Sequence, residues 1–206
     1  MNKKFVSFFC FLLTLCVSVG MVSCGDDGDE PNGGETDLYG ALKSVEYTYI
    51  LELKGDFDLA YNKSVKATID GQETIEKMDG LSFTKKYTCP SVSNNVTKAL
   101  FELVLEDNGK ALPEGVEKCD FYALPKLEVK AVYEKKTENF TVQSPIIPGT
   151  DDRWIYMKGV NMNKVISSGK TGREAFITNF PSKMKTAIEF NGHKAQVNIG
   201  SGVISL

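Results

Sequence analysis

Apolar and polar residues alternate over most of the chain after residue 37, and the alternation has the period of β-strands. Between Ser44 and Leu53, the side chains of Val45, Tyr47, Tyr49, Leu51 and Leu53 fall on one face, with Glu46, Thr48 and Glu52 on the other. A period of two turns one face to a core and the other to water. Gly55-Asp56 closes this strand. Val65, Ala67 and Ile69 follow, then Asp70-Gly71, Thr74 to Met78, Asp79-Gly80, and a segment with Leu81, Phe83 and Tyr87, which together predict a meander of three strands. At its first turn a two-residue loop sets Ala67 opposite Thr74, and a three-residue loop sets it opposite Ile75. The longer loop is expected, because register follows the apolar face.

Val96 to Glu106 is a further strand, with Ala99, Phe101, Leu103 and Leu105 on one side and Asp107-Asn108-Gly109 as its turn. Pro113, Gly115 and Pro125 predict an irregular crossing that contains Cys119. Leu127, Val129, Ala131 and Tyr133 then alternate with charged residues, and Phe140 and Val142 begin another strand. Pro145 to Asp152 has the composition of a boundary. After it come a short strand at Arg153 to Met157, a helix at Arg173 to Phe180 ended by Pro181, and a hairpin about Asn191-Gly192 that sets Ile188 opposite Ala195. Val203 and Ile204 suit a last strand. The pattern predicts an all-β protein, an antiparallel immunoglobulin-like β-sandwich over residues 38–143. Residues 144–206 form a smaller β-rich part, packed on the same sandwich or folded as a lobe of its own.

The first residues break this pattern. Lys3 and Lys4 precede an apolar run from Phe5 to Val19, and Gly20-Met21-Val22-Ser23-Cys24 leads into the acidic Gly25-Asp26-Asp27-Gly28-Asp29-Glu30. A basic start, a short apolar stretch and small residues at its end read as an export signal over residues 1–23. A retained membrane span is the competing reading, since Phe5 to Val22 is about 18 residues and a span needs about 20. Ser7, Thr14, Ser18 and the missing basic flank count against it. With Ser23 before Cys24, the segment resembles a bacterial lipoprotein signal, although Met21 and Val22 stand where that family has leucine and a small residue. The acids after Cys24 are similar to those that send Bacteroidetes-type lipoproteins to the cell surface. The resemblance implies acylation of Cys24, an outer-membrane location, and contact with the membrane through that lipid anchor. Several acyl chains, at about 0.8 kcal/mol per buried methylene, hold a protein where one chain is marginal.

Residues 24–37 carry six acidic residues and no basic one, with Gly28, Pro31, Gly33 and Gly34 among them. This composition reads as a disordered tether with a typical reach of roughly 20 Å. It also accounts for the formal charge of −3. Setting aside Lys3 and Lys4 from 24 basic residues and the six tether acids from 27 leaves 22 against 21. A folded part so close to neutral argues against nucleic acid as a partner.

The five cysteines fall as Cys10 and Cys16 in the signal, Cys24 at the acylation point, and Cys89 and Cys119 in the mature chain. In an oxidising compartment the last two can bridge, closing a loop of about 30 residues worth roughly 3 to 4 kcal/mol in the chain-entropy model. The alternative is two buried thiols too far apart to meet. His193, the single histidine, sits beside a predicted turn with no Gly-x-Ser-x-Gly elbow in the chain, so no catalytic residue and no enzyme is expected. A zinc site from Cys89, Cys119 and His193 lacks the close ligand pairs such sites use. No metal or other cofactor is expected. Gly169-Lys170-Thr171 spells the end of a phosphate-binding loop, but Lys164 stands where its first glycine belongs. Asp56, Asp58, Asp151 and Asp152 lack the spacing of a calcium loop.

Aromatic residues are the remaining lead. Trp154, the one tryptophan, shares a strand face with Tyr156 directly after Asp151 and Asp152. Such rings stack on a sugar while carboxylates accept its hydroxyl protons. Alternation within a sandwich sends both rings into the core instead, and that is the expectation here. The sequence thus reads as a non-catalytic binding or structural module on the cell surface. Its partner is a glycan or another surface protein, with a pilin-like subunit or a hydrolase as lesser alternatives.

Overall fold

The strand expected at Ser44 to Leu53 is the spine of the protein and is longer than its apolar pattern: β1 runs Leu42–Gly55. The structure is a computed structural model that describes residues 38–89, 92, 95–146, 152–200 and 202–205. The predicted signal, Cys24, the tether and Asp151 lie outside the described residues. After β1 come α1 (Phe57–Ala60), β2 (Tyr61–Ile69), β3 (Gln72–Lys77), β4 (Ser82–Cys89), β5 (Val96–Asp107) and β6 (Lys118–Tyr133). The chain continues through β7 (Thr137–Gln143), β8 (Ile155–Asn161), α2 (Gly172–Ser182), β9 (Thr186–Asn191), β10 (Lys194–Ile199) and β11 (Gly202–Ser205).

Two antiparallel sheets form a sandwich. One has the order β4-β1-β6-β7 with β8 also on β6, and the other has the order β11-β10-β9-β5-β2-β3. Val45, Tyr47, Tyr49, Leu51 and Leu53 are all buried on the inner face of β1, as their alternation predicts. Phe101 of β5 meets them from the opposite sheet, stacked on Tyr49 at 4.8 Å and edge-on to Tyr47 at 6.1 Å. β1 pairs β4 in one sheet while β2 pairs β5 in the other. This is the crossed pairing of the B–E and C–F strands of an immunoglobulin-type sandwich. β6 takes the place beside β1, and β9 the place beside β5.

Strand pairing and register depart from the sequence expectation in three places. The expected meander does not form: β3 pairs only β2, and β4 crosses to β1. β3 offers one large apolar side chain, Ile75, and leaves it 64% exposed, so it cannot carry the next strand over the core. β4 instead adds Tyr87 and Cys89 to the inner face of β1. The Asp70-Gly71 loop has two residues, not three, with φ of 47° and 85°, and sets Ala67 opposite Thr74. With both faces of β3 in solvent, no apolar face chooses the register, and the turn chemistry does. The β9–β10 loop is Gly192-His193, which sets Ile188 opposite Val197 rather than Ala195. Gly192, at φ 63°, supplies the positive first position of such a turn.

Pro125, expected in an irregular crossing, lies within β6, and Cys119 is in the same strand. Proline is tolerated there because this edge of β6 changes partner around it, from Lys126 opposite Gln143 on β7 to Ala123 opposite Ile155 on β8. Nor is there a boundary after Gln143. Residues Asp37–Leu206 form one compact unit, with β8 completing one sheet and β9, β10 and β11 the other. Cys89 and Cys119 form no disulfide. Cys89 registers with Val45, whereas Phe121, two residues past Cys119, registers with Gly55 at the far end of β1. The ten residue steps from Val45 to Gly55 span about 33 Å at ~3.3 Å each, against a Cα separation of at most about 7 Å in a disulfide.

Two local networks hold the ends of the sandwich. At one end the Asp70 carboxylate accepts from the Lys98 N–H at 2.8 Å, from Thr97 Oγ1 and from Cys89 Sγ at 2.9 Å. One side chain so ties the β2–β3 turn to a strand of each sheet. Burial raises its pKa, but the three donors outweigh that and hold it below the ordinary carboxylate value. A depressed folded pKa stabilises above the unfolded value, and the contribution is lost as pH falls through the folded one. Urea midpoints of the Asp70→Asn variant should therefore fall less steeply than those of the native chain between about pH 5 and pH 2. Parallel pH profiles would contradict this.

At the other end α2 plugs the opening. Phe176 and Phe180 pack with Phe57, Tyr61 and Phe121 in one aromatic cluster. Thr171 and Glu174 form a capping box at the helix start, which is the role of the Gly169-Lys170-Thr171 segment. Arg173 fastens the helix by donating to the carbonyls of Lys110 and Ala60 at 2.8 Å and to Asn108 Oδ1 at 2.9 Å. Pro181, expected to end the helix, lies in its last turn.

Candidate functional site

Tyr156 lies on β8 and Trp154 directly before it, and the two sides of this segment are nearly equal in sequence. Ile155 and Met157 occupy one side, with Trp154 and Tyr156 on the other. Ile155 and Met157 are the pair that packs on the core. Tyr156 is 46% exposed, and Trp154 is half-buried outside the core. The inward placement expected of both rings is therefore overturned: the apolar need on the inner side is met by the aliphatic pair.

Tyr156 does not stand alone on the outer face. It lies opposite Tyr122 of β6, which lies opposite Lys54 of β1, so the register builds a row across three strands. The two rings are 6.1 Å apart. Lys158 Nζ sits 5.0 Å from the Tyr156 ring centre and 5.6 Å from that of Tyr122, and Lys54 Nζ is 5.8 Å from Tyr122 on the other side. These are cation–π distances.

Beside the row a cavity of about 580 Å³ opens where the end of β7, the start of β8, the C-terminal end of α2 and the end of β10 converge. That volume lies within the usual range of small-ligand sites. Its wall includes Ser144 and Pro145, the run Arg153 to Tyr156, Ser182, Lys183, Ile199 and Gly200. Arg153 Nη1 donates to the Ser144 carbonyl at 2.8 Å, which fixes the guanidinium in the wall. Ser144 is 1% exposed, and its hydroxyl has no hydrogen-bond partner among the described residues. Such an unmet group costs about 1–3 kcal/mol.

The remaining sequence candidates fall elsewhere. Asp152 accepts the Trp154 N–H on Oδ1 at 2.9 Å and so shapes the turn into β8. His193 is exposed on the β9–β10 turn, where its ring stacks on Tyr39 at 5.2 Å. Cys119 is at the opposite end of the sheet from Cys89, so the two cannot share a metal ion with His193. Among the described residues no three His, Cys, Asp or Glu side chains cluster as a metal site, and no helix is long and apolar enough to cross a membrane. Asp56 Oδ2 accepts the Asp120 N–H at 2.8 Å, and Asp58 pairs with Lys63.

Sequence reading missed Tyr122, Lys54, Lys158, Arg153, Lys183 and Ser144. The signal for Tyr122 was present: carrying the alternation of Leu127 and Val129 back through Pro125 puts Phe121 and Ala123 inside and Tyr122 outside. The other five depend on which strands become neighbours. The site is an open aromatic and cationic edge on an all-β sandwich. Compared with known proteins, the chain matches no family model, no curated protein and no solved structure.

Proposed function

We propose that this chain is a lipid-anchored binding module of the bacterial outer surface that holds a saccharide against Trp154 and Tyr156. The observation that carries the reading is that both rings leave the core of a sandwich and line a cavity of about 580 Å³. A ring face offers apolar contact to the C–H face of a sugar, and the wall adds the hydroxyl of Ser182 with the cations of Arg153 and Lys183. Cys24, acylated, fixes the chain to the membrane, and residues 25–37 space the sandwich from it. The chemistry of the wall is that of holding a ligand, with no catalytic role assigned to any residue.

A glycan array probed with the soluble chain from Leu38 to Leu206 tests the reading. Trp154→Ala is expected to weaken every saccharide hit by about tenfold or more, the equivalent of ~1.4 kcal/mol, with an unchanged urea midpoint because the ring lies outside the core. An array without hits, or hits that survive Trp154→Ala at full strength, would remove the proposal.

A further inference from the structure

The cavity and the aromatic row carry a charge pattern that narrows the ligand class. Arg153 and Lys183 stand in the cavity wall, and no acidic side chain lines it among the described residues. Lys158 and Lys54 flank the tyrosines at the other end of the strip. None of the four cations has a carboxylate partner within salt-bridge distance among the described residues, whereas Lys66, Lys126, Lys136 and Lys185 of the same sandwich are all paired. Arg153 is held at a fixed position by the Ser144 carbonyl. Asp152, its neighbour in sequence, directs Oδ1 to the Trp154 N–H. In the last turn of α2 the Phe180 and Pro181 oxygens accept from the Lys183 and Met184 N–H groups. Their partial negative charge is therefore not presented to a ligand with full strength.

Resting on the saccharide reading above, we infer that the ligand is an acidic saccharide, with carboxylates of the uronic-acid class seated on Arg153 and Lys183 while its rings lie along Trp154 and Tyr156. A guanidinium fixed in a wall suits a planar carboxylate, which accepts two parallel N–H bonds from it. Lys158 and Lys54 continue the positive strip along the sheet, so a second acidic sugar of the same chain meets charge of the right sign.

Titration calorimetry of the soluble chain with a trigalacturonate and with the uncharged trigalactose of the same linkage separates the outcomes. The acidic trisaccharide is expected to bind about tenfold or more tightly at low salt, with the advantage shrinking as salt rises. Arg153→Gln with Lys183→Gln should abolish the preference, bringing the acidic affinity down to that of the neutral sugar. Should Arg153→Gln disturb the fold through its bond to Ser144, Lys158→Gln, at an exposed position, should lower the acidic affinity severalfold with an unchanged urea midpoint. Trp154→Ala weakens both sugars, which marks the site as shared. Equal affinity for the two sugars, or a preference that survives these variants, overturns the acidic assignment while leaving the saccharide reading in place. No binding of either sugar overturns the acidic assignment, and joined to a glycan array without hits it overturns the saccharide reading as well.

Discussion

Phe121→Ala is expected to lower the unfolding free energy by about 3–5 kcal/mol. Phe121 is fully buried where β6 begins, and four rings pack around it: Phe176 at 4.0 Å, Phe57 at 5.0 Å, Tyr61 at 5.9 Å and Phe180 at 6.5 Å. These rings come from α1, β2 and α2, so no single backbone movement closes the space a truncation would leave. Cavity cost is largest where the wall cannot collapse. Because a domain has only about 5–15 kcal/mol in all, the variant should unfold at a much lower urea concentration with an unchanged denaturant slope. A shift under about 1 kcal/mol would mean that α2 slides into the gap and that the plug is looser than its packing indicates.

Gly55→Ala is expected to cost roughly 3 kcal/mol or more, while Gly71→Ala costs only about 1 kcal/mol. Both glycines have positive φ, 100° and 85°, so the backbone penalty for a side chain is shared. They differ in what a Cβ would meet. At Gly71 nothing lies within 4 Å, whereas at Gly55 the new atom would overlap the carbonyl oxygen of Asp120. That oxygen accepts the Asp56 N–H at 2.9 Å, and Gly55 is the last residue of β1 in register with β6. A substitution must therefore part the two longest strands at the end that the aromatic plug closes. Chemical denaturation of the two variants side by side isolates the contact from the φ penalty. Equal losses would show that backbone conformation alone matters at Gly55.

The fold was legible wherever one face of a strand had no competitor. Val45 to Leu53 and Leu127 to Tyr133 each set an apolar side against a mostly polar one, and each is buried as its pattern requires. Legibility failed where both faces were alike or both were wet. In β8 the aliphatic and aromatic sides are equivalent by composition, so alternation could not say which would be core. In β3 neither side is buried, so its register came from turn geometry. Pro125 misled for another reason: a missing donor harms a strand only where a neighbour needs it, and the change from β7 to β8 removes that need.

By itself the sequence determined an all-β sandwich of alternating strands, a nearly neutral folded part, and a charge imbalance confined to the residues before it. These depend on local periodicity and composition, which the chain carries without reference to its neighbours. Only the tertiary structure decided that Cys89 and Cys119 stand at opposite ends of one sheet, and that the C-terminal strands complete both sheets. It also decided that Trp154 and Tyr156 face outward with Tyr122 and four cations along one edge. Each of these is a matter of which strands become neighbours, and that is settled by competition for burial across the whole chain.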